Sequence, residues 1–324
     1  MRPSAARLGL LAGIALLALL AGTLRGSSPL PLAAVWQALG GSGDELSRQI
    51  VWGLRAPRVF SAFACGGLLA VAGLLMQALT RNPLADPYIL GASGGAAVAG
   101  LAAVLLGSGW AAMHVAAFGG ALLAMALALG LALRPGGWRG DHLLLTGIAV
   151  SAACGAAVTL LLSLAPAADI RGMLFWLMGD LSHATSALLP CIVLVCVSLA
   201  AAWLGPQLDV LGLGDLKARS LGVDVARLQL ALCALAALAT AVAVLAAGTI
   251  GFVGLVIPHL LRLWRITAHR ALVPAAALGG GALLTLADLA ARTAIAPRQL
   301  PVGALTALLG VPLLILLLRR DVAR

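Results

Sequence analysis

Ten stretches of nearly uninterrupted apolar sequence constrain this chain more than any other feature, because each approaches the length that crosses about 30 Å of hydrocarbon. They run at about 8–24, 58–80, 90–107, 110–133, 142–164, 187–205, 227–248, 252–265, 272–292 and 302–318. With 62% of 324 residues hydrophobic and 10% charged, the chain holds far more apolar sequence than a soluble core requires. The expected fold is an all-α polytopic membrane protein of ten transmembrane helices, forming one transmembrane domain over residues 1–324. Arg2 and Arg7 precede the first stretch as they would in a secretory signal, but no small-residue cleavage site follows, so it reads as a retained helix. The stretch at 252–265 is short and contains Pro258, His259 and Arg262, which predicts a helix that is broken or partly buried in protein.

The net charge of +10 is carried by arginines that punctuate the apolar runs instead of forming one basic face, which excludes nucleic-acid binding. They read as topology signals. With the N-terminus inside, the inner loops hold Arg2, Arg7, Arg81, Arg134, Arg139, Lys217, Arg219, Arg227, Arg262, Arg265, Arg270, Arg319, Arg320 and Arg324, or 14 of the 21 basic residues. The outer side keeps Arg25, Arg48, Arg55, Arg58, Arg171, Arg292 and Arg298. That bias favours both termini inside. Helices two to five then begin outside and helices seven to ten begin inside, so the two groups are expected to be inverted repeats, although no sequence echo marks them. Cys65, Cys154, Cys191, Cys196 and Cys233 all lie in apolar runs without CxxC spacing and read as small buried side chains, not metal ligands or disulfides.

The interval Gln207 to Arg227 separates two long apolar runs and holds the chain's single lysine, Lys217. Val210, Leu213, Leu216 and Leu221 recur at near-helical spacing among charges, which predicts one or two short amphipathic helices outside the bilayer. The charge bias puts this interval in the cytoplasm, where a separate motor protein would push on it. Three further blocks carry local structure. Arg81-Asn82-Pro83-Leu84-Ala85-Asp86-Pro87 has two prolines that bar a continuous helix, with Asn82 and Asp86 able to cap the freed backbone; the small-residue run Gly91 to Gly100 follows. Later come Ala247-Gly248-Thr249-Ile250-Gly251-Phe252-Val253-Gly254 through Pro258-His259, and Leu300-Pro301-Val302-Gly303 through Pro312.

Taken with Leu54-Arg55-Ala56-Pro57-Arg58 and Leu213-Gly214-Asp215 through Gly222, these blocks make the chain resemble the FecCD family, the permease subunits of type II ABC importers for iron siderophores, haem or cobalamin. The resemblance covers about Val51 to Arg320. It implies alternating-access import from periplasm to cytoplasm across the bacterial inner membrane, by a multi-pass subunit in the lipid bilayer paired with a second copy or close paralogue. It also implies two cytoplasmic ABC ATPase subunits and a periplasmic substrate-binding protein. ATP and magnesium would sit on the partner ATPase, with no cofactor or metal on this chain. The residues agree, since a P-loop needs a lysine after glycine and Lys217 follows Leu216.

At matching positions, the resemblance implies that Gly214, Asp215, Leu216, Lys217, Ala218, Arg219, Leu221 and Gly222 form the ATPase-coupling segment. The charged side chains would pair at the cleft rim while Leu216 and Leu221 pack. Asn82 and Leu84 would form the cytoplasmic gate with a companion loop around Gly140 and Asp141, where small hydroxyl residues are expected instead, and Leu143 to Ser163 would line the pathway. Arg55, Arg58 and Arg292 would receive acidic side chains of the binding protein, in keeping with guanidinium chemistry on the side depleted of positive charge.

Other residues admit competing readings. Asp288 is an ionisable group inside a span, but Arg292 is four residues on and favours a structural pair. His259 reads as a hydrogen-bonded structural histidine before a metal or proton site. Met173, Trp176 and Met178, in the outer loop Asp169 to His183, suit either ligand contact or an interface. Gly91-Ala92-Ser93-Gly94 has the form used by intramembrane serine proteases, with His259 as its base, yet this explains two residues and leaves every other block unused. A transporter driven by an ion gradient would want carboxylates along the path, and Asp288 is the clear candidate. The cargo and the choice between homodimer and heterodimer do not follow from the sequence.

Overall fold

The computed structural model describes residues 3–28, 30–133, 140–296 and 298–322, and shows helices and connecting loops with no strand among them. Arg2, Arg134, Arg139 and Arg324 of the charge count lie outside the described residues, as do the side chains of Arg319 and Arg320.

Every one of the ten apolar stretches corresponds to a helix: α1 (Pro3–Leu24), α4 (Ala56–Thr80), α5 (Ala92–Leu105), α6 (Trp110–Ala132), α7 (Gly140–Leu164), α9 (Leu188–Trp203), α12 (Val225–Ala247), α13 (Val253–Leu263), α14 (His269–Thr293) and α15 (Val302–Val322). Between them lie the shorter α2 (Leu32–Leu39), α3 (Glu45–Arg48), α8 (Ala167–Leu177), α10 (Gly205–Leu211) and α11 (Asp215–Ser220), a π-helical stretch at Gln49–Arg55 and a 3-10 turn at Pro87–Leu90. Among the described residues, six helices are long and apolar enough to cross a membrane, and α9 with α10, bent by 56° at their junction, makes a seventh candidate. α5, α13 and the described apolar part of α15 fall short; at 1.5 Å per residue the 11 residues of α13 reach only about 16 Å.

The core is organised around α4. Almost all of this helix is buried, and α12, α13, α14 and α9 pack around it. Small residues make that possible, because without a hydrophobic driving force in lipid, helices associate by close van der Waals approach. A methyl group built on Gly66 would collide with the carbonyl of Gly280, and one on Gly280 with the carbonyl of Gly66, so α4 and α14 cross backbone to backbone. Gly73 meets Gly254 on α13 in the same way, and Gly95 meets Gly120 between α5 and α6. α1 lies along α14, with Ala15 and Ala18 against Ala282.

The stretch at 252–265, expected to be broken or partly buried in protein, is partly buried but unbroken: α13 runs through Pro258, and the irregular backbone lies ahead of it, between α12 and α13. Gly248 and Phe252 both adopt positive φ, at 67° and 70°. The irregular backbone between them is enclosed by protein: Ile250 N–H donates to the Tyr88 hydroxyl at 3.1 Å, Thr249 donates to the Leu177 carbonyl, and Asp180 N–H donates to the Ala247 carbonyl at 2.9 Å. The expected outer loop over 169–183 differs, because most of it is helix α8. Met173 and Trp176, three residues apart, are buried on one face of that helix, while Met178 is exposed.

Candidate functional site

Two clusters of polar residues form, one at each end of the bundle. The first gathers α10, α11 and the loop after α4. α4 ends at Thr80, Arg81 takes the left-handed conformation (φ 52°, ψ 30°), and the prolines prevent any resumption. Asn82 Oδ1 accepts from Leu84 N–H at 2.9 Å, and Asp86 Oδ1 accepts from Tyr88 N–H at 2.8 Å, so both expected caps are present. Burial of Asp86 in this loop pushes its carboxyl up to about 6, partly opposed by the Tyr88 N–H.

The predicted amphipathic interval is two short helices, α10 and α11. Ala218 is fully buried and anchors α11, while Leu213, Leu216 and Leu221 are exposed, Leu216 by 85%. Lys217 and Arg219 also point outward. Gly214 precedes the helix at φ 105°, where a side chain would be strained, and Gly222 follows it at φ 83°. Asp215 differs from its neighbours: its Oδ1 lies 3.2 Å from Arg81 Nη2, tying α11 to the loop after α4. Sequence reasoning placed Asp215 and Arg81 separately, since nothing in the long stretch of chain between them signals their contact. Gly140 and Asp141, the expected companion gate residues, contribute backbone to the start of α7, and their side chains lie outside the described residues.

The second cluster surrounds Asp288, which is 1% exposed. The expected pair with Arg292 is present, with Arg292 Nε 3.3 Å from Asp288 Oδ2. Arg58 joins it: its Nη2 lies 2.8 Å from Asp288 Oδ1, its Nε donates to the same oxygen at 2.9 Å, and its Nη1 donates to Gln299 Oε1 at 2.8 Å. Arg292 also donates to the Gly22 carbonyl at 2.6 Å. Arg55 is buried and donates to the carbonyls of Thr23, Leu24 and Ser28 at 3.2, 3.0 and 2.8 Å, closing the end of α1. Arg55, Arg58 and Arg292 nonetheless line one cavity of about 200 Å³ with Gln299 and Thr185. Beside it a larger cavity, about 750 Å³, is lined by Arg171, Phe175, Trp176, Asp180, His183 and Arg298.

Ser93 and His259 occupy different parts of the bundle. Ser93 is on α5, which packs on α6 and α7, whereas His259 is buried on α13, which packs on α4, α14 and α15. Among the described residues no group of three or more His, Cys, Asp or Glu side chains is placed to hold a metal ion.

A profile of the FecCD transport family matches residues 14–320. The vitamin B12 import system permease protein BtuC of Shigella boydii serotype 18 is 38% identical over 294 residues, covering 87% of each chain. Its counterpart in Escherichia coli O157:H7 is 40% identical over 279 residues, covering 83% of each. Among solved structures, a metal-chelate type ABC transporter in an inward-facing conformation superposes with a TM-score of 0.84 at 26% identity, covering 98% of this chain and 99% of the other. A chain of PsaBC from Streptococcus pneumoniae shares the fold alone, at a TM-score of 0.57 and 14% identity.

Proposed function

From the premise that this chain belongs to the FecCD transport family of ABC-importer permeases, we propose that it is the ten-span subunit of an ATP-driven importer in the bacterial inner membrane, and that its cargo is a cobalamin. The observation that carries the reading is α11. A six-residue helix that buries Ala218 yet leaves Leu216 uncovered beside Lys217 and Arg219, with Leu213 and Leu221 exposed just before and after it, has the apolar centre and charged rim of a surface made for a partner. That partner is the ATPase, present in two copies, one for each permease chain of the dimer.

Other features support the same assembly. Hydrogen bonds and ion pairs join residues of the expected inner set to one another, as in Arg7 to Arg265 and Arg81 to Asp215, and those of the outer set likewise, as in Arg58 and Arg292 through Asp288. This suits both termini inside. α4 packs on α14 as α12 packs on α6, and α5 packs on α6 as α13 packs on α14, a reciprocity that suits inverted repeats. α7 leaves the small residues Ala152, Gly155, Ala156 and Thr159 exposed, a face better suited to a passage and a second subunit than to lipid. On the outer side three guanidinium groups line one cavity against the single carboxylate of Asp288, an excess of positive charge that would take an acidic side chain of the binding protein.

Cobalamin is favoured because both vitamin B12 permeases align with most of this chain at close to 40% identity. An iron chelate is the second reading, favoured by the metal-chelate transporter of the same fold. The test is ATP turnover by the chain purified with its co-encoded ATPase and binding protein. Cobalamin-loaded binding protein should raise turnover and ferric siderophore or haem should not; stimulation by an iron chelate alone would contradict the cargo. Arg58→Gln should lose the stimulation and keep basal turnover, and undiminished stimulation would contradict the docking role.

A further inference from the structure

The Arg81–Asp215 pair joins two elements that the functional reading keeps apart, the surface that meets the ATPase and the loop that opens or closes the inner end. We propose that this ion pair is the joint through which displacement of α11 is passed to residues 82–91, with Arg81 and Asp215 acting as positioning residues for transport. The inference rests on the permease reading.

Three observations carry it. First, α11 sorts its charges: Lys217 and Arg219 face outward with the exposed leucines, while Asp215 turns to its own chain and meets Arg81 at 3.2 Å. Second, both partners are held by their backbones. Arg81 sits in the left-handed region at the end of α4, and Gly214 opens α11 at φ 105°, a conformation that favours glycine. Third, the loop after Arg81 is stiff and lies against α7. Asn82 and Asp86 cap consecutive turns. A methyl group on Gly91 would come within 2.7 Å of Val150, one on Gly94 within 2.6 Å of Cys154, and one on Gly147 would collide with the Ile89 carbonyl. With backbones this close, residues 87–94 cannot slide without moving α7. At its far side the same turn is pinned to the α12–α13 break through the Tyr88 hydroxyl. Displacing α11 therefore pulls on a loop already fastened to the helix with the exposed small-residue face.

An ion pair with its guanidinium exposed and its carboxylate half-buried contributes modestly to folding stability, so its disruption should leave the fold intact and show in coupling. The experiment compares Arg81→Glu, Asp215→Arg and the double reversal in the complete complex in proteoliposomes, reading cargo taken up per ATP hydrolysed. Each single reversal should lower uptake per ATP hydrolysed by about fivefold or more, and the double reversal should restore most of it. Single reversals with wild-type uptake per ATP, or a double reversal no better than either, would overturn the joint while leaving the permease reading in place. A wild-type complex without ATP-driven uptake would overturn that reading and this inference with it.

Discussion

Asp288 shows how a single buried carboxylate sets local structure. Removed from water, it is stabilised among the described residues by the two guanidinium groups at 2.8 and 3.3 Å, and they in turn lose that counter-charge if it is deleted. Asp288→Ala should therefore cost about 3–5 kcal/mol, seen as a large fall in the thermal unfolding midpoint in detergent, whereas a shift of a degree or two would contradict the pairing. Half of this cluster was legible in the sequence, because Arg292 follows Asp288 by one helical turn. Arg58 was not, since periodicity reports neighbours along one helix and says nothing of a residue 230 positions away. Asp86 offers a second test. Its carboxyl is raised from 3.8 to about 6, so the folded loop holds a proton that the unfolded chain gives up, and the loop loses stability as pH rises through that window. Asp86→Asn keeps an acceptor for Tyr88 N–H and should flatten this dependence, measured as amide protection at Tyr88 after correction for intrinsic exchange; an unchanged profile would contradict the assignment.

Among the elements, helix crossings were legible as composition but not as partners. The small residues of Gly91 to Gly100 and Ala275 to Ala282 announce close packing, while the pairing of Gly280 with Gly66 depends on how helices far apart in the chain are arranged. Gly280→Val, which needs a side chain where the Gly66 carbonyl already lies, should cost about 1–3 kcal/mol or prevent folding. Thermal unfolding of the purified chain would check it against Gly119→Val on α6, where nothing lies within 4 Å and no comparable loss is expected. Short elements were read less well. α13 was expected to be interrupted because of Pro258, and the interruption lies ahead of it, at Gly248 to Phe252, where positive φ ends the preceding helix. α8 was expected as loop because it is too short to span, although Met173 and Trp176 fall on one buried face.

For the molecule as a whole, the proposed orientation rests on the charge bias along the sequence and the sorting of polar residues between the two ends. Lys217 is the only lysine and is exposed on α11, so a membrane-impermeant amine reagent should modify it in inside-out vesicles and spare it in sealed cells. Modification from the outer face would reverse the topology. Class and helix positions were readable because hydrocarbon imposes a length on apolar sequence; the joining of α11 to the loop after α4 was not, since it depends on a contact between two polar stretches that only the folded bundle brings together. The central claim is that energy enters through the uncovered leucines of α11 from a separate ATPase. The most direct measurement is ATP-dependent cobalamin uptake into proteoliposomes holding the permease, its ATPase and its binding protein, compared with Leu216→Asp in the same complex and with the permease alone. Uptake by the complete wild-type complex, with loss of ATPase co-purification and of uptake in Leu216→Asp and none by the permease alone, is the predicted result; full uptake by Leu216→Asp, or by the permease without any ATPase, would contradict it.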